Sequence, residues 1–536
     1  MILEGLKLLE AIYNKWGSKY VTGEENPPKP GLICFNNLIP ALEMLHKHID
    51  NKSKIVVHCD VDMDGIGSGY ILKRFISQLS PTAPRFVINR EKVHGIKKHQ
   101  IPILNKSGID LLIIVDSSSN EVNIFKEMNC DVLVIDHHEI LHSDTIGRTS
   151  DGLHNFIIVN NMLGNSDSLI VNEWLKKINP EASYEYIDYH GEPQMSCGLV
   201  IYELLRSYCL AYRQGSILED MGLYQWAGVT LFTDAISLIN DRNQWYITNT
   251  VHSMYTEPTL LAMIQAINSY NHRLTKSIIN YSLAPTINNA IRAGASGDAL
   301  SIVLNEPSRI TELSKYRSNQ EDAIAEGVKD VQVYDSFVLK DLTGTGIMPS
   351  YCGVIASKLV DEYGKNAAVY ITSGDRYQGS FRGRQSQANY RLRFEQYNPE
   401  NYAQGHAQAF GVAGLLENLT STMSALTEVE SEVSSKRYLT MGDIPDSEKG
   451  QYHIDDFEGF KRASGLMMIG NGNSKVSSDE QIIISVPSSL ASLIEIKGKL
   501  YLYNILGLKC KAFNPITPGM INLYAETTDA CDFYIK

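Results

Sequence analysis

Short apolar runs alternate with helix-length amphipathic segments from residue 54 onward, and this alternation constrains the fold more than any other feature of the chain. The runs are "KIVVH", "RFVIN", "DLLIIVD", "DVLVID" and "NFIIVN". The segments between them include "SGYILKRFISQL" and "EVNIFKEMN". Unbroken runs of Val, Ile and Leu are typical of parallel strands that helices cover on both faces. The sequence therefore predicts an α/β domain with a parallel sheet.

Acidic residues and histidines follow three of these runs. They are His58, Asp60, Asp62 and Asp64, then Asp116, then Asp136, His137 and His138. Because the carboxyl ends of neighbouring parallel strands lie at one edge of a sheet, we expect these side chains to converge there. Carboxylates at such short distances repel one another unless a cation lies between them. The pattern therefore predicts a metal site at the sheet edge.

The candidate metal ligands are two imidazoles and four carboxylates, one of them in an apolar helical stretch further along the chain. The full set is His58, Asp62, Asp64, Asp116, His137 and Asp234. Such mixed ligands suit Mn, Mg, Fe or Zn, and the absence of cysteine from the set argues against structural zinc. Two metals that share a carboxylate would activate a water and clamp both oxygens of a phosphoryl displacement. The predicted chemistry is hydrolysis of a phosphate ester or anhydride.

Each part of this pattern also has a plain structural interpretation. The aspartates could form a calcium loop, although Ile71 stands at position twelve from Asp60, where such a loop has glutamate. The "DHH" of residues 136–138 could be a solvated turn, and Asp234 could be a hydrogen-bonded core acid. Four such pieces at successive strand or helix ends favour the metal site over these separate explanations.

The 536 residues are too many for one core, and the pattern changes along the chain. We expect a helical N-terminal extension over 1–50, a catalytic domain over 51–245, a helical linker region over 246–335, a second, smaller α/β substrate-binding lobe over 336–428 and a β-rich C-terminal domain over 429–536. Two core helices are predicted over 196–213 and 222–240, where apolar residues dominate.

Charge and cysteine usage limit the class of protein. The net charge of −13 argues against a protein that coats nucleic acid through bulk positive charge, so a polyanion would have to meet a local basic patch. The eight cysteines are scattered without CxxC pairs, as expected of reduced thiols. Glu4, Lys7 and Glu10 interrupt the apolar N-terminus, which predicts neither a signal peptide nor a membrane span. We expect a cytoplasmic protein with no membrane partner.

Several motifs together resemble a known family. "HCDVDMDG", "IIVDSSSNE" and "VIDHHE" resemble successive motifs of the DHH phosphoesterase superfamily. "INREKVHGIKKH", "GVTLFTDAISL" and "APTINNAIRAGASGDA" are similar to segments of its RecJ-type single-strand-specific exonucleases. The resemblance covers about residues 54–415. It implies a DHH catalytic domain that binds two divalent metal ions, with Mn²⁺ preferred over Mg²⁺.

The resemblance also implies roles for individual residues. One metal would be held by His58, Asp62 and Asp116, and the other by Asp64, Asp116, His137 and Asp234. His138 would face the scissile phosphate, and Asp136 would orient its neighbours. The motifs leave the roles of three nearby residues open, namely Asp60, Arg90 and His94.

The chain departs from the family pattern at three places. The position after Asp116 begins "SSS" instead of Asn-Gly, the segment after "DHH" lacks the usual Pro-rich turn, and Thr286 stands where an arginine is expected. The last change bears on substrate contacts, although Asn288 and Arg292 still match. None of the departures falls on a predicted metal ligand.

Residues 376–393 hold five arginines and no acid in a chain that is acidic as a whole. A solvated basic face is the plain interpretation. The small residues and arginine of "GSFRGR", which include Gly379, Ser380 and Arg382, instead predict a tight loop that holds phosphate. The later "QGHAQAFG" keeps Gly405 and His406 of the family's Gly-Gly-His element and replaces its first glycine. By resemblance these residues bind the nucleotide end of the substrate.

Three functions follow from these expectations. The first is a RecJ-like exonuclease that digests single-stranded DNA 5′ to 3′ and releases nucleoside monophosphates by two-metal hydrolysis. The second is a phosphodiesterase of short oligonucleotides or cyclic dinucleotides, which would have no use for the long tail. The third is a non-catalytic RecJ-like scaffold that joins replication or repair proteins. An OB-like tail would favour the first function, with Tyr501, Tyr503 and Phe513 as candidate stacking residues, although core aromatics are more frequent.

Overall fold

The computed structural model describes most of the chain. The described residues are 29–141, 143–164, 166–182, 195–234, 236, 241–251, 253, 255–268, 273–275, 278–383, 389–426, 483–488, 491–497, 500–505, 508–512, 514–525 and 533–535. Residues 1–28 of the predicted extension, residues 429–482 of the predicted tail domain and Phe513 lie outside these ranges. The described strands form three six-stranded sheets.

The first sheet carries the apolar runs of the sequence. Its strands are β1 (Ile55–Cys59), β2 (Arg85–Ile88), β3 (Leu111–Val115), β4 (Asp131–Asp136), β5 (Ile146–Arg148) and β6 (Asn155–Asn160). The spatial order is β2-β1-β3-β4-β6-β5. All neighbours are parallel except β5, which pairs antiparallel with β6 at one edge. The predicted parallel α/β sheet is confirmed, with one added antiparallel edge strand.

Both faces of this sheet are buried, which explains why its strands are apolar throughout. In β3, Leu111, Ile113 and Val115 belong to the larger core cluster. The alternate residues Leu112 and Ile114 belong to a separate cluster on the other face. Successive side chains of a strand point to opposite faces, so a sheet covered on both sides needs apolar residues at every position.

Helices surround the first sheet. They are α1 (Leu38–Asp50), α2 (Met63–Leu79), α3 (Ile101–Lys106), α4 (Val122–Phe125), α5 (Ser168–Ile178), α6 (Cys197–Ala211), α7 (Ile217–Asp220) and α8 (Tyr224–Thr233). Helices α2, α6 and α8 pack closely because small residues lie between them. A Cβ atom on Gly67 or on Gly198 would lie within 3 Å of the Thr230 side chain. The three helices therefore cover the sheet as one tight layer.

The second predicted core helix is shorter than the apolar pattern suggested. Helix α8 ends at Thr233, and Asp234 adopts an extended conformation directly after it. The prediction of a continuous helix over 222–240 is therefore wrong, and residues 237–240 lie outside the described ranges. Because the helix stops there, Asp234 leaves the apolar layer and lies at the sheet edge.

A helical region follows, as predicted. Its helices are α9 (Asp241–Val251), α10 (Pro258–Ile267), α11 (Ala284–Arg292), α12 (Ser296–Asn305) and α13 (Tyr316–Gly327). Ile287 and Val303 are fully buried in the same core cluster as the first sheet. The region therefore packs against the α/β domain.

The second sheet belongs to the second lobe. Its strands are β7 (Gln332–Val333), β8 (Phe337–Asp341), β9 (Asn366–Ser373), β10 (Arg376–Arg382), β11 (Tyr402–His406) and β12 (Ala409–Leu415), and its helices are α14 (Cys352–Tyr363), α15 (Tyr390–Tyr397) and α16 (Leu416–Ala425). The order is β11-β12-β10-β9-β8-β7, with β8 and β9 parallel and the other pairs antiparallel. The second α/β lobe is confirmed.

One local prediction in this lobe is wrong. Gly379, Ser380 and Arg382 do not form a loop but lie on β10, paired on both sides with β9 and β12. Gly379 suits this position because a Cβ atom there would come within 2.0 Å of the Val369 carbonyl oxygen. Glycine and serine weaken a strand locally, but two flanking strands fix this one.

The third sheet lies near the C-terminus. Its strands are β13 (Ile483–Pro487), β14 (Ala491–Lys497), β15 (Leu500–Ile505), β16 (Leu508–Ala512), β17 (Met520–Ala525) and β18 (Phe533–Ile535). All pairs are antiparallel except β16 and β18. The β-rich tail is therefore confirmed, whereas its relation to an OB barrel stays a prediction. Tyr503 is buried, and its hydroxyl accepts a hydrogen bond from the Ile516 amide, which favours a core role for this aromatic.

The cysteines within the described residues form no disulfide with one another. In the part of the chain that the structure covers, no helix is both long and apolar enough to span a bilayer.

Candidate metal centre and cationic trio

The predicted ligands converge at the carboxyl edge of the first sheet. Asp116 directly follows β3, His137 follows β4, and Asp64 lies in the first turn of α2. The Nε2 atom of His137 lies 3.2 Å from Oδ1 of Asp116, 3.2 Å from Oδ2 of Asp234 and 3.9 Å from Oδ2 of Asp64. These four residues are the set that the sequence resemblance implied for one metal.

A second group of carboxylates adjoins the first. One oxygen each of Asp60, Asp62 and Asp116 lies within 4.8 Å of the others, so Asp116 belongs to both groups. His58 is almost fully buried at the end of β1, and its Nε2 lies 3.4 Å from Oδ1 of Asn89. Asp60, whose role the sequence leaves open, therefore belongs to this second group.

The backbone at the start of α2 fixes the first acidic loop. Asp62 caps the helix, and its Oδ1 accepts a hydrogen bond of 3.0 Å from the Gly65 amide. A Cβ atom at Gly65 would lie 2.6 Å from the Asp60 carbonyl oxygen, so no larger residue fits without moving the loop. Serine, threonine, asparagine and aspartate are the preferred residues at such a cap. The spacing of the aspartates is thus set by the helix start.

Asp116 has an uncommon backbone conformation. Its φ angle is +66°, in the left-handed region where aspartate and asparagine are more frequent than other non-glycine residues. Its amide donates a 3.0 Å hydrogen bond to the Ile135 carbonyl on β4. The sharp turn after β3 therefore directs Asp116 toward the residues that follow β4.

The electrostatics of the acidic cluster favour a bound cation. Burial and the neighbouring carboxylates raise the pKa of Asp64 and of Asp116 well above the ordinary value. Burial lowers the pKa of His58, so its imidazole is neutral and able to act as a ligand. Among the described residues, Nδ1 of His58 is buried without a hydrogen-bond partner, and the contact of the buried Oδ1 of Asp116 with His137 lacks the geometry of a hydrogen bond. Buried polar atoms without partners and mutually repelling acids both fit a divalent ion.

Asp136 organises the turn that carries both histidines. Its Oδ1 accepts hydrogen bonds from the His137 amide at 2.7 Å, from the His138 amide at 3.2 Å and from Nδ1 of His138 at 2.8 Å. Although burial acts in the opposite sense, the charge and hydrogen bond of Asp136 raise the pKa of His138 to about 10. Asp136 therefore holds the turn through three hydrogen bonds, and its role in orienting the site stays a prediction.

Asp60 and His94, two residues whose roles the sequence left open, contact each other. Nδ1 of His94 lies 2.5 Å from Oδ2 of Asp60, and the Gly95 amide donates to Oδ1 at 3.2 Å. Burial alone would raise the pKa of Asp60, but the charge of His94 and these hydrogen bonds keep it below the ordinary value. Asp60 is thus a buried, ionised acid whose hydrogen-bond partners, His94 and Gly95, are not part of the His137 cluster.

Three cations lie near one another, and we call Lys92, Arg292 and Arg382 the cationic trio. Burial and the charge of Arg292 lower the pKa of Lys92 to about 7. Burial lowers the pKa of Arg292 and of Arg382 to about 10, and the charge of Arg382 contributes to the shift at Arg292. The charge of Asp62 acts in the opposite sense on Lys92 and Arg292. Concentrated, partly desolvated positive charge beside a carboxylate cluster suits an anion.

The members of the trio come from three regions of the chain. Lys92 follows β2, Arg292 ends α11 with its Nη1 2.8 Å from Oε1 of Gln320, and Arg382 ends β10. Sequence reasoning missed Lys92, although the "NREK" segment already placed a basic residue after the second strand. Only the fold shows that Lys92 lies half-buried near arginines from the other regions.

The remaining predicted substrate residues are distributed around this cleft. Oδ1 of Asn288 accepts a 3.1 Å hydrogen bond from the Met63 amide at the start of α2. Ser380 lies on β10, and Gly405 lies on β11 with a φ angle of +135°. Arg90 is exposed, and its carbonyl accepts a hydrogen bond from Ser296. Of His406 only the backbone position on β11 is described.

Comparison with known proteins agrees with this geometry. Residues 54–231 match the model of the DHH family, N-terminal domain. Residues 54–231 of this chain are therefore similar to the DHH family, N-terminal domain.

Two curated relatives match over short segments. YorK of Bacillus subtilis (strain 168), an SPbeta prophage-derived protein provisionally named a single-strand DNA-specific exonuclease, is 35% identical over 109 residues. The segment covers 20% of this chain and 18% of YorK. The single-stranded-DNA-specific exonuclease RecJ of the same bacterium is 27% identical over 103 residues, which cover 18% of this chain and 13% of RecJ. The matched segments thus span less than a fifth of either relative.

Structural similarity extends much further along the chain. RecJ from Thermus thermophilus, in complex with Mn²⁺, superposes with a TM-score of 0.67 at 16% sequence identity. The match covers 99% of this chain and 76% of that one. At this level of identity the likeness establishes a shared fold.

Proposed function

We propose that this protein is a divalent-metal-dependent hydrolase that digests single-stranded DNA from an end and releases nucleoside monophosphates. The observation that carries the proposal is the position of His137, within 3.2 Å of both Asp116 and Asp234, beside the cationic trio. Carboxylates and imidazoles gather where a metal would bind, and cations gather where a phosphate would lie. The names of YorK and RecJ support the choice of single-stranded DNA as substrate.

The residues at the site divide between two groups of metal ligands. In this proposal Asp64, Asp116, His137 and Asp234 hold one divalent ion, and His58, Asp62 and Asp116 hold a second. Bound divalent ions would supply an activated water and neutralise charge on the phosphate. Mn²⁺ is the preferred ion and Mg²⁺ the alternative, because both accept carboxylate and imidazole ligands.

The surrounding residues orient the substrate. His138, fixed by Asp136, lies beside the ligands and donates a hydrogen bond to the phosphate under attack. The cationic trio binds a neighbouring phosphate, together with Ser380. Asn288 fixes the start of α2 through the Met63 amide and so keeps the first acidic loop in place. Gly405 and His406 contact the terminal nucleotide, and a 5′ end is the proposed starting point.

Digestion of end-labelled DNA tests this function. Single-stranded DNA labelled at the 5′ or the 3′ end, a matched duplex and a dinucleotide are incubated with Mn²⁺ and either the wild type or Asp234→Asn. The proposal expects a labelled mononucleotide from the 5′-labelled strand, no digestion of the duplex and loss of activity in the variant. Release from the 3′ end would overturn the polarity.

The same assay separates the alternatives. Turnover of the dinucleotide without digestion of longer strands would move the function to a phosphodiesterase of short oligonucleotides or cyclic dinucleotides. No turnover of any substrate would favour a scaffold, and a replication or repair protein would then be the expected partner. The carboxylate set argues against the scaffold, because the acidic cluster is costly to bury without a cation.

A further inference from the structure

One partly buried ion pair joins the "DHH" turn to the second lobe. Nη1 of Arg391, on α15, donates a hydrogen bond to Oε2 of Glu139, the residue directly after His138. The Arg391 side chain is only 4% exposed, and Glu139 is 37% exposed. The two residues are 252 positions apart in sequence. We propose that Glu139 and Arg391 form a positioning pair that fixes the gap between the metal centre and the second lobe.

Arg391 depends on Glu139 for its charge balance. The other nearby carboxylate is Glu395 on the same helix, 3.5 Å from Nη2 of Arg391. A guanidinium that is almost completely buried needs a close carboxylate, because desolvated charge is costly when it lacks a partner. The shorter contact is the one that crosses between the lobes. Separation of the lobes would leave Arg391 with the weaker partner alone.

Both ends of the pair are attached to elements of the proposed site. The Glu139 carbonyl accepts a 3.0 Å hydrogen bond from Nδ2 of Asn120, in the loop that begins with Asp116. The Arg391 amide donates a 3.0 Å hydrogen bond to the carbonyl of Ala407, directly after His406. The pair therefore joins the loop after β3 on one side to the end of β11 on the other. The pair acts through its neighbours and does not touch the reacting atoms.

The kinetic consequence rests on the proposed function. A long substrate would contact both the metal centre and the second lobe, whereas bis(p-nitrophenyl) phosphate needs the metal centre alone. Loss of the pair should raise KM for a single-stranded oligonucleotide by at least ~10-fold, since a charge-assisted contact contributes roughly the free energy of one decade in binding. The rate with the small phosphodiester should stay at the wild-type value.

The geometric consequence is independent of any activity. Spin labels on Ser107→Cys in the first lobe and Lys358→Cys in the second report the distance between lobes by double electron–electron resonance. We expect one narrow distance distribution in the wild type, a broader one in Glu139→Gln and a narrow one again in Arg391→Lys, which keeps the charge. Glu127→Gln is the matched control, because it removes an exposed ion pair with Lys98 within one lobe.

The outcomes separate this inference from the proposed function. A broadened distribution in Glu139→Gln, with KM raised for the oligonucleotide alone, supports the positioning pair. A broadened distribution in a protein that hydrolyses neither substrate also supports the pair and overturns the proposed function instead. An unchanged distance distribution in Glu139→Gln overturns the positioning role. An equal loss of hydrolysis with both substrates at an unchanged distance overturns it as well.

Discussion

Nε2 of His137 lies 3.2 Å from Oδ1 of Asp116, although the two residues follow different strands of the sheet. The carboxylate oxygen is buried, and this contact with His137 does not have the geometry of a hydrogen bond. Because Asp116 also adjoins Asp60 and Asp62, it is the carboxylate that the two proposed metal groups share.

Asp116→Asn should raise the melting temperature of the metal-free protein and abolish the rise that Mn²⁺ causes in the wild type. Burial and the neighbouring acids raise the pKa of Asp116, so removal of its charge relieves repulsion. Asparagine also tolerates the φ of +66°. Thermal unfolding with EDTA and with Mn²⁺ measures both effects. Asp298→Asn, at an exposed position of α12, is the control and should follow the wild type in both conditions.

Lys92 should make binding of a 5′-phosphorylated oligonucleotide depend on pH. Without a bound phosphate, burial and the charge of Arg292 lower the pKa of Lys92 to about 7. A bound phosphate stabilises the protonated amine and raises its pKa, so affinity is highest below pH 7 and falls as pH rises through that value. Fluorescence anisotropy of the metal-free protein from about pH 6 to about pH 9 measures the change.

Lys92→Arg is the matched variant for this prediction, since arginine stays protonated over the whole range. Its affinity should depend on pH only through the oligonucleotide itself. Equal pH profiles for the wild type and Lys92→Arg would show that Lys92 does not bind the phosphate.

The sequence was sufficient to predict the acidic edge, Arg292 and Arg382, but not the place of Lys92 beside them. Asp64, Asp116 and His137 each follow an apolar run closely, and parallel strands bring such positions together wherever the sheet forms. The environment of Lys92 depends on Arg292 and Arg382, which belong to later regions that approach it only in the folded chain. Local patterns contain no information about that packing.

Two further differences between the sequence prediction and the structure have local physical causes. Ser380 was predicted in a loop because glycine and serine are rare in strands, but pairing with β9 and β12 outweighs that preference. Asp234 was placed inside a helix because the apolar run continues beyond it. The helix ends at Thr233, a boundary that no glycine or proline marks in the sequence.

Gly65→Ala should destabilise the protein by about 1–3 kcal/mol and reduce metal binding, because the added carbon would displace the Asp60 backbone. Urea unfolding gives the free energy, and a Mn²⁺ titration gives the affinity. Gly297→Ala is the matched control, since a Cβ atom there meets nothing within 4 Å. That variant should be as stable as the wild type or up to ~1 kcal/mol more stable. Equal behaviour of the two variants would contradict the tight loop.

Asp131 should stabilise the fold at neutral pH and lose that effect in acid. Its Oδ2 accepts hydrogen bonds from Nε2 of His48 at 2.9 Å and from Nζ of Lys47 at 2.8 Å, at the edge of the sheet opposite to the metal centre. Although burial acts in the opposite sense, these partners hold the pKa of Asp131 well below the ordinary 3.8. The stabilisation is therefore complete above that value and decreases as pH falls below it.

Asp131→Asn measures this contribution directly. We expect the variant to be less stable than the wild type by about 1–3 kcal/mol at neutral pH, since it loses hydrogen bonds to a charged acceptor. Urea unfolding at several pH values should show that the difference narrows below pH 3.8. A difference that stays constant into acid would mean that the carboxylate charge is not what stabilises this edge.

Counting bound Mn²⁺ by electron paramagnetic resonance tests the central claim most directly. The account predicts about two ions for each wild-type chain, as a paired site requires. It predicts fewer ions in Asp116→Asn, together with a loss of phosphodiester hydrolysis of at least ~100-fold. A variant that binds as many ions as the wild type and hydrolyses at the same rate would contradict the proposal that Asp116 joins the two halves of the metal centre.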